Sequence, residues 1–154
     1  MTDKRFPRDH PRMRPEPFRL HRPAYPYFRR VIARFSDMDT EGHLNNVALA
    51  SYYEDARVSF LRATTANGRP FRFVVAQISI SYLAEGHYPG EYDVGLGITR
   101  FGRSSFGVGC GLFLGDVCLG TCDTTQVTIG DEGPIPIPAE LMQHLKAVQL
   151  QDTA

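Results

Sequence analysis

Apolar positions in this chain follow a helical repeat through one long stretch and alternate through most of the rest. Val47, Leu49, Ala50, Tyr53, Ala56, Phe60 and Leu61 recur at helical spacing while Glu54, Asp55, Arg57 and Arg62 interleave, with no Gly or Pro among them. The spacing predicts a helix over 46–65, about 30 Å long at 1.5 Å per residue. Its alanines would let it lie close against a sheet, and Asn67-Gly68-Arg69-Pro70 has the chemistry of its C-cap and turn. Before it, the apolar run Val31-Ile32-Ala33-Arg34-Phe35 predicts a first strand over 29–35. After it the chain reads as sheet. Residues 71–83 are rich in β-branched side chains, and Tyr92, Val94, Leu96 and Ile98 alternate with Asp93, Gly95 and Gly97. Strands over 104–114 and 117–129 meet at Gly115-Asp116, a two-residue hairpin junction that calls for positive φ. The glycines at 102, 107, 109, 111 and 120 imply strong bending or a close approach of backbone to a helix or ligand. The run Pro134-Ile135-Pro136-Ile137-Pro138 fixes an extended link, with Pro138 placed for the first turn of a last helix over 139–150 whose stripe is Leu141, Leu145 and Val148. One long early helix, four or five antiparallel strands and a closing helix make an α+β chain.

Composition adds bounds. A chain of 154 residues holds one domain of about 120 residues and a tail. The first 26 residues are rich in Pro and Arg and are expected to be disordered or loosely packed, with residues 27–150 forming the domain. Seventeen basic side chains balance seventeen acidic ones, which argues against a strongly basic nucleic-acid surface and leaves a local patch open. Cys110, Cys118 and Cys122 leave one unpaired in any disulfide scheme and lack the spacing of a zinc site, so buried free thiols in a reducing compartment are expected. The N-terminal residues contain no apolar segment of the kind a signal peptide or membrane anchor needs, and the expected location is the cytoplasm.

The chemistry concentrates between the first strand and the long helix. Asp37, Asp39, Gly42, His43, Asn45 and Asn46 stand within ten residues, more polar groups than a helix cap requires. A helix N-terminus offers unpaired N–H groups and partial positive charge, suited to an anion or a polarised carbonyl oxygen. Asp39 just upstream could act on a carbonyl carbon held there, or could only stabilise the helix, by about 0.3–1 kcal/mol.

Asp37-x-Asp39-x-x-Gly42-His43-x-Asn45-Asn46, followed by Tyr53-Glu54-x-Ala56-Arg57, resembles the signature of the hotdog-fold acyl-CoA thioesterases of the 4-hydroxybenzoyl-CoA thioesterase type. The similarity continues through Phe101-Gly102-Arg103-Ser104-Ser105 to the proline run and covers about residues 29–150. It implies a long helix wrapped by a curved antiparallel sheet, in a homodimer or homotetramer with active sites at the subunit interface. It also implies that Asp39 is the catalytic carboxylate and that the Asn46 N–H polarises the thioester carbonyl, with coenzyme A entering as part of the substrate and neither metal nor redox cofactor required.

Around them, His43 either packs and bonds within the turn or takes part in the site, and Asn45 is a cap or loop clamp or else contacts the substrate. Asp37 orients the turn or raises the pKa of Asp39 by like charge. Glu54 lines the pocket or pairs with Arg57. Gly102, Arg103, Ser104 and Ser105 suit the phosphates and amides of the cofactor portion, although a plain polar turn would look the same. Tyr52, Tyr53, Phe60, Phe71 and Phe73 line an acyl pocket or belong to the core. Two other functions fit the residues less well. A hotdog hydratase or dehydratase carries Asp-x-Asn-Pro-x-His, with five positions from Asp to His, where Asp37 and His43 stand six apart here without the proline. A non-catalytic acyl-CoA-binding module would keep Asp39 for helix stability alone.

Overall fold

The computed structural model describes residues 14–65 and 71–152. The start of the expected tail and the Asn67-Gly68-Arg69-Pro70 turn lie outside these residues. The strands are β1 (Tyr27–Ile32), β2 (Phe73–Tyr82), β3 (Glu91–Phe101), β4 (Ser105–Leu114), β5 (Val117–Gly130) and the short β6 (Gly133–Pro134), and the helices are α1 (Asn46–Thr64) and α2 (Ala139–Lys146). The strands form one antiparallel sheet in the order β1-β3-β4-β5-β2, with β6 added to β5.

Alternation decides which side of the sheet receives the helix. Val94, Leu96 and Ile98 of β3 and Phe106, Val108, Cys110 and Leu112 of β4 point inward, where they meet Leu49, Tyr53, Ala56, Phe60 and Leu61 of α1 in one buried cluster. Each large side chain so buried contributes about 1.5–3 kcal/mol. Ala56 is fully buried at the contact, which lets the helix sit close. Register shifts at Val75/Gln77, Ile98/Arg100 and Leu112/Phe113 bend the sheet around it. A long helix wrapped by a curved antiparallel sheet is the hotdog arrangement that the motifs implied. At the β4–β5 junction only Gly115 has positive φ (+59°), the requirement at the first loop position of a type II′ turn.

The opposite, convex face explains the interior glycines. Gly95, Gly97, Gly109 and Gly111 point outward, toward Arg19, Tyr25 and Leu150, while Gly120 faces the Tyr53 hydroxyl of α1. A Cβ on Gly95 would stand 2.7 Å from Tyr25 Cγ, one on Gly97 2.6 Å from Leu150 Cδ2, and one on Gly111 2.6 Å from the Tyr25 hydroxyl. Residues 17–25, which the composition assigns to a loose tail, are instead anchored here. They form two 3-10 turns, Pro17–Leu20 and Arg22–Ala24. Arg19, 5 % exposed, is held by Asp123 through two bonds from one nitrogen (2.8 and 2.9 Å), and the Tyr25 hydroxyl donates to the Arg19 carbonyl at 2.8 Å. The Arg22 guanidinium lies 4.5 Å over the Phe28 ring. Polar composition suggested little to bury; an arginine clamp and one tyrosine in a glycine groove supply the anchorage.

The last helix is shorter than the 139–150 expected, ending at Lys146. Its continuation is drawn off by the sheet. β1 pairs with β3 only from Glu91 to Leu96, so beyond that point the Ile98 backbone is free on its β1 side. The Ile98 N–H donates to Val148 O and its carbonyl accepts from Leu150 N, both at 2.9 Å. No helix among the described residues is long and apolar enough to cross a membrane.

The close approach at Gly95 makes a direct test. Gly95→Ala places a methyl against Cβ and Cγ of Tyr25, atoms that cannot swing aside, and should destabilise the chain by about 1–3 kcal/mol in denaturant unfolding.

Candidate active site

Residues 37–45 leave the end of β1 and fold back on themselves before α1 begins. Met38 and Leu44 form an antiparallel bridge, Asp39 N–H donates to His43 O at 2.8 Å, and Asn45 N–H donates to Asp37 O at 2.8 Å. Gly42, at φ +78°, closes the loop in the left-handed region that other residues rarely enter. This small hairpin determines what each polar side chain can do.

Asp39 stands at its tip, exposed, with Oδ1 accepting from the N–H groups of Glu41 (2.9 Å) and His43 (3.1 Å). Its Oδ2 takes no hydrogen bond from the described residues, so the side chain is aimed by the turn while one oxygen stays available. Asp37 is placed beside the helix start. It accepts from Arg34 N–H at 2.8 Å and from the Tyr52 hydroxyl at 2.5 Å. Burial, and then the bond to Asp37, push the Tyr52 hydroxyl well above its ordinary pKa, so it stays a donor at any physiological pH. Asn45 caps α1, its Oδ1 accepting from Ala48 N–H at 2.7 Å, which contributes about 1 kcal/mol. Asn46 is the first helical residue, exposed, and its N–H has no acceptor among the described residues, as the geometry of a helix start dictates.

His43 carries a contact that the sequence does not reveal. Its Nε2 lies 3.0 Å from Glu85 Oε2, and its ring meets that of His87 edge to face at 5.3 Å. Glu85 and His87 come from the loop between β2 and β3, pinned to the hairpin by Leu44 N–H donating to Gly86 O (2.8 Å) and by the His87–Gly42 contact at 3.3 Å. One histidine and one glutamate in a loop are a weak signal alone; only the fold brings them against residues 42–44. Among the described residues no group of three or more His, Cys, Asp or Glu side chains is placed to hold a metal ion.

The other candidates lie elsewhere. Tyr53 does not reach this surface: it is 2 % exposed, on the helix stripe that faces the sheet, and a Cβ on Gly120 would stand 3.0 Å from its hydroxyl. Glu54 is on the outward side of α1, 69 % exposed, 3.6 Å from the Arg57 guanidinium. Gly102, Arg103, Ser104 and Ser105 form the β3–β4 turn, tied by Gly102 N–H to Ser105 O (2.6 Å), Ile137 N–H to Arg103 O (2.9 Å) and Thr128 N–H to Ser104 O (2.8 Å). That turn is at the far end of β3 from Glu91. The 11 residues of the strand separate it from the hairpin by about 35 Å. One chain therefore collects Asp39, His43, Asn45 and Asn46 at one end of the sheet and the 102–105 turn at the other.

Residues 33–145 match the family described as the Thioesterase-like superfamily, and the chain belongs to it. Among solved structures it is similar to the PA5185 protein of Pseudomonas aeruginosa, at 26 % identity and a TM-score of 0.73, covering 85 % of this chain and 96 % of that one. It is also similar to a thioesterase of Thermus thermophilus solved in complex with coenzyme A and Zn, at 27 % identity and a TM-score of 0.74, covering 80 % and 94 %. An uncharacterised protein of Bacillus subtilis, YsmA, is 31 % identical over 71 residues, 45 % of this chain and 48 % of that protein, so the chain spans about half the length of this curated relative.

The Tyr52 hydroxyl is the buried support of the hairpin. Tyr52→Phe removes a hydrogen bond to a charged group and should cost about 1.5–3 kcal/mol in denaturant unfolding, with the far-UV circular dichroism of the native protein unchanged.

Proposed function

We propose that this chain hydrolyses an acyl-CoA or related thioester to the free acid and the thiol, working as a homo-oligomer whose catalytic unit is a two-fold dimer. The observation that carries the reading is the half-engaged carboxylate of Asp39, aimed by two backbone N–H groups on the hairpin that leads into α1, whose first N–H, that of Asn46, has no acceptor among the described residues. Membership of the thioesterase-like superfamily and the coenzyme A bound by the similar Thermus thermophilus thioesterase support the same substrate class.

In this mechanism the thioester oxygen faces the Asn46 N–H, where partial positive charge stabilises the oxyanion as it forms. Asp39 supplies the attacking oxygen in one of two ways. As a base it takes a proton from water, the hydroxide adds to the carbonyl carbon, and the tetrahedral intermediate expels the thiolate, which recovers that proton. As a nucleophile it forms a mixed anhydride with loss of the thiolate, and water then cleaves the anhydride. In single-turnover hydrolysis in H₂¹⁸O, label found in the Asp39 side chain establishes the second route with water attacking the aspartyl carbonyl, while an acyl-enzyme trapped by hydroxylamine reports that route whichever carbonyl water attacks.

The dimer follows from what a single chain lacks. β2 is an edge strand of ten residues, and Val74, Val75 and Ile78 on it are 40–55 % exposed. A long apolar edge of this kind is a template for another strand. Antiparallel pairing of β2 with β2 of a second copy reverses the direction of the sheet across the axis. The hairpin end of one copy then lies beside the 102–105 end of the other. Asp39 and Asn46 of one subunit would thus work with Arg103, Ser104 and Ser105 of the second, guanidinium and hydroxyls meeting the phosphates and amides of coenzyme A. His43 and Asn45 hold the hairpin rather than react.

Asp39→Asn keeps the oxygen that accepts from Glu41 and His43 but loses the basic one. The expected result is a fall in kcat/KM of about 100-fold or more in a thiol-release assay, with an unchanged elution volume and melting temperature. Undiminished hydrolysis by the purified variant would remove the mechanism. Tight binding of an intact thioester with no turnover in the wild type would replace it with a binding module.

A further inference from the structure

Beyond the hairpin, α1 and β2 enclose a cleft of about 730 Å³ lined by Leu61, Phe71, Phe73, Arg57, Arg62 and Gln126, among others. The size is that of a small-molecule site. Its walls are largely apolar and aromatic, yet among the described residues they carry three guanidiniums, Arg57, Arg62 and Arg72, beside Thr65 and Gln126, and no carboxylate side chain. Arg57 stands apart from the other two. Its side chain is only 5 % exposed, it makes no hydrogen bond with the described residues, and its one ionic contact is the loose 3.6 Å approach of Glu54, itself 69 % exposed. A guanidinium has five donors and is charged at any pH the protein meets, and those of Arg57 face the cleft with no carboxylate of the lining to take them. The other buried arginine, Arg19, has a bidentate carboxylate at 2.8 Å. That is the kind of partner which Arg57 lacks.

We infer that this cleft receives the acyl part of the substrate and that the acyl group it fits is an apolar or aromatic body ending in a carboxylate, taken by Arg57. The inference rests on the thioesterase reading above. The chemistry of the walls selects this ligand over the cofactor portion of a thioester. Phenylalanine and leucine walls suit hydrocarbon, whereas a pantetheine arm brings two amides to a lining whose neutral polar side chains offer them little. A single deep guanidinium matches a single carboxylate through two parallel hydrogen bonds. In the two-fold arrangement the cleft of one copy opens toward the hairpin end of the other, so a thioester at Asp39 could extend into it.

The test compares CoA thioesters that differ only at the acyl end, hexanoyl against the half-thioester of hexanedioic acid and decanoyl against that of decanedioic acid, with the full-length protein. At one of the two lengths the carboxylated substrate should show a kcat/KM at least about tenfold higher, as a charge-assisted hydrogen bond allows. Arg57→Met, which keeps the volume of the side chain, should bring the ratio close to one whatever the absolute rate, and Arg57→Lys should leave an intermediate ratio. If the Met variant does not fold, the wild-type ratio and the Lys variant decide. Calorimetric titration with free hexanedioate, decanedioate and coenzyme A separates the failures. Hydrolysis without preference, and no diacid binding, overturns the cleft assignment and leaves the hydrolase standing. Diacid binding lost in Arg57→Met, with no thioester hydrolysed, leaves the cleft standing and removes the hydrolase. Loss of coenzyme A affinity in the Arg57 variants, with diacid binding unchanged, overturns the inference in favour of a phosphate subsite.

Discussion

The first turn of α1 is held from three directions, and the placement of every polar group near it depends on that. Asn45 caps the helix from within the chain, the Tyr52 hydroxyl reaches back from the second turn to Asp37, and the backbone of Asp37 accepts from Asn45. These bonds close a loop between β1 and α1 that has few other ways to bury its polar backbone. They also divide labour between two aspartates of similar sequence context. Asp37 becomes structural, while Asp39 at the tip keeps an oxygen free.

The helix can be held this firmly because the sheet around it is curved and supported from outside. Three register shifts bend the strands, and the convex face is closed by Tyr25, Arg19 and Leu150 lying in a groove that glycines leave open. Side chains there would force Tyr25 and Leu150 off the sheet. In that sense residues 17–25 and Leu150 belong with the core, with Arg19 and Asp123 as the polar fastening.

Burial treats the two inward or covered arginines differently, and the contrast is informative. Arg19 meets a carboxylate at hydrogen-bond distance; Arg57 meets a cleft. Arg19 is anchored through one end of its guanidinium while its Nε finds no acceptor, whereas Arg57 has only the loose approach of Glu54 and lines an open space that a ligand can enter.

Helix and strand positions were legible from local pattern, because an apolar repeat of 3.6 or 2 reports directly which side chains share a face, and α1 falls where Val47 to Leu61 place it. The polar cluster from Asp37 to Asn46 was legible too, since a cap and an acidic turn are local chemistry. Other features depended on contacts distant in sequence. The pairing of His43 with Glu85, the burial of Tyr53, the anchorage of Arg19 by Asp123 and the end of α2 at Lys146 each follow from which strand lies beside which. The glycines of β3 and β4 announced a close approach without saying to what. Sequence determines the elements and their reactive side chains through short-range sterics and periodicity. The tertiary structure alone decided that Asp39 and the 102–105 turn stand at opposite ends of one sheet, because strand order and direction are properties of the packed chain.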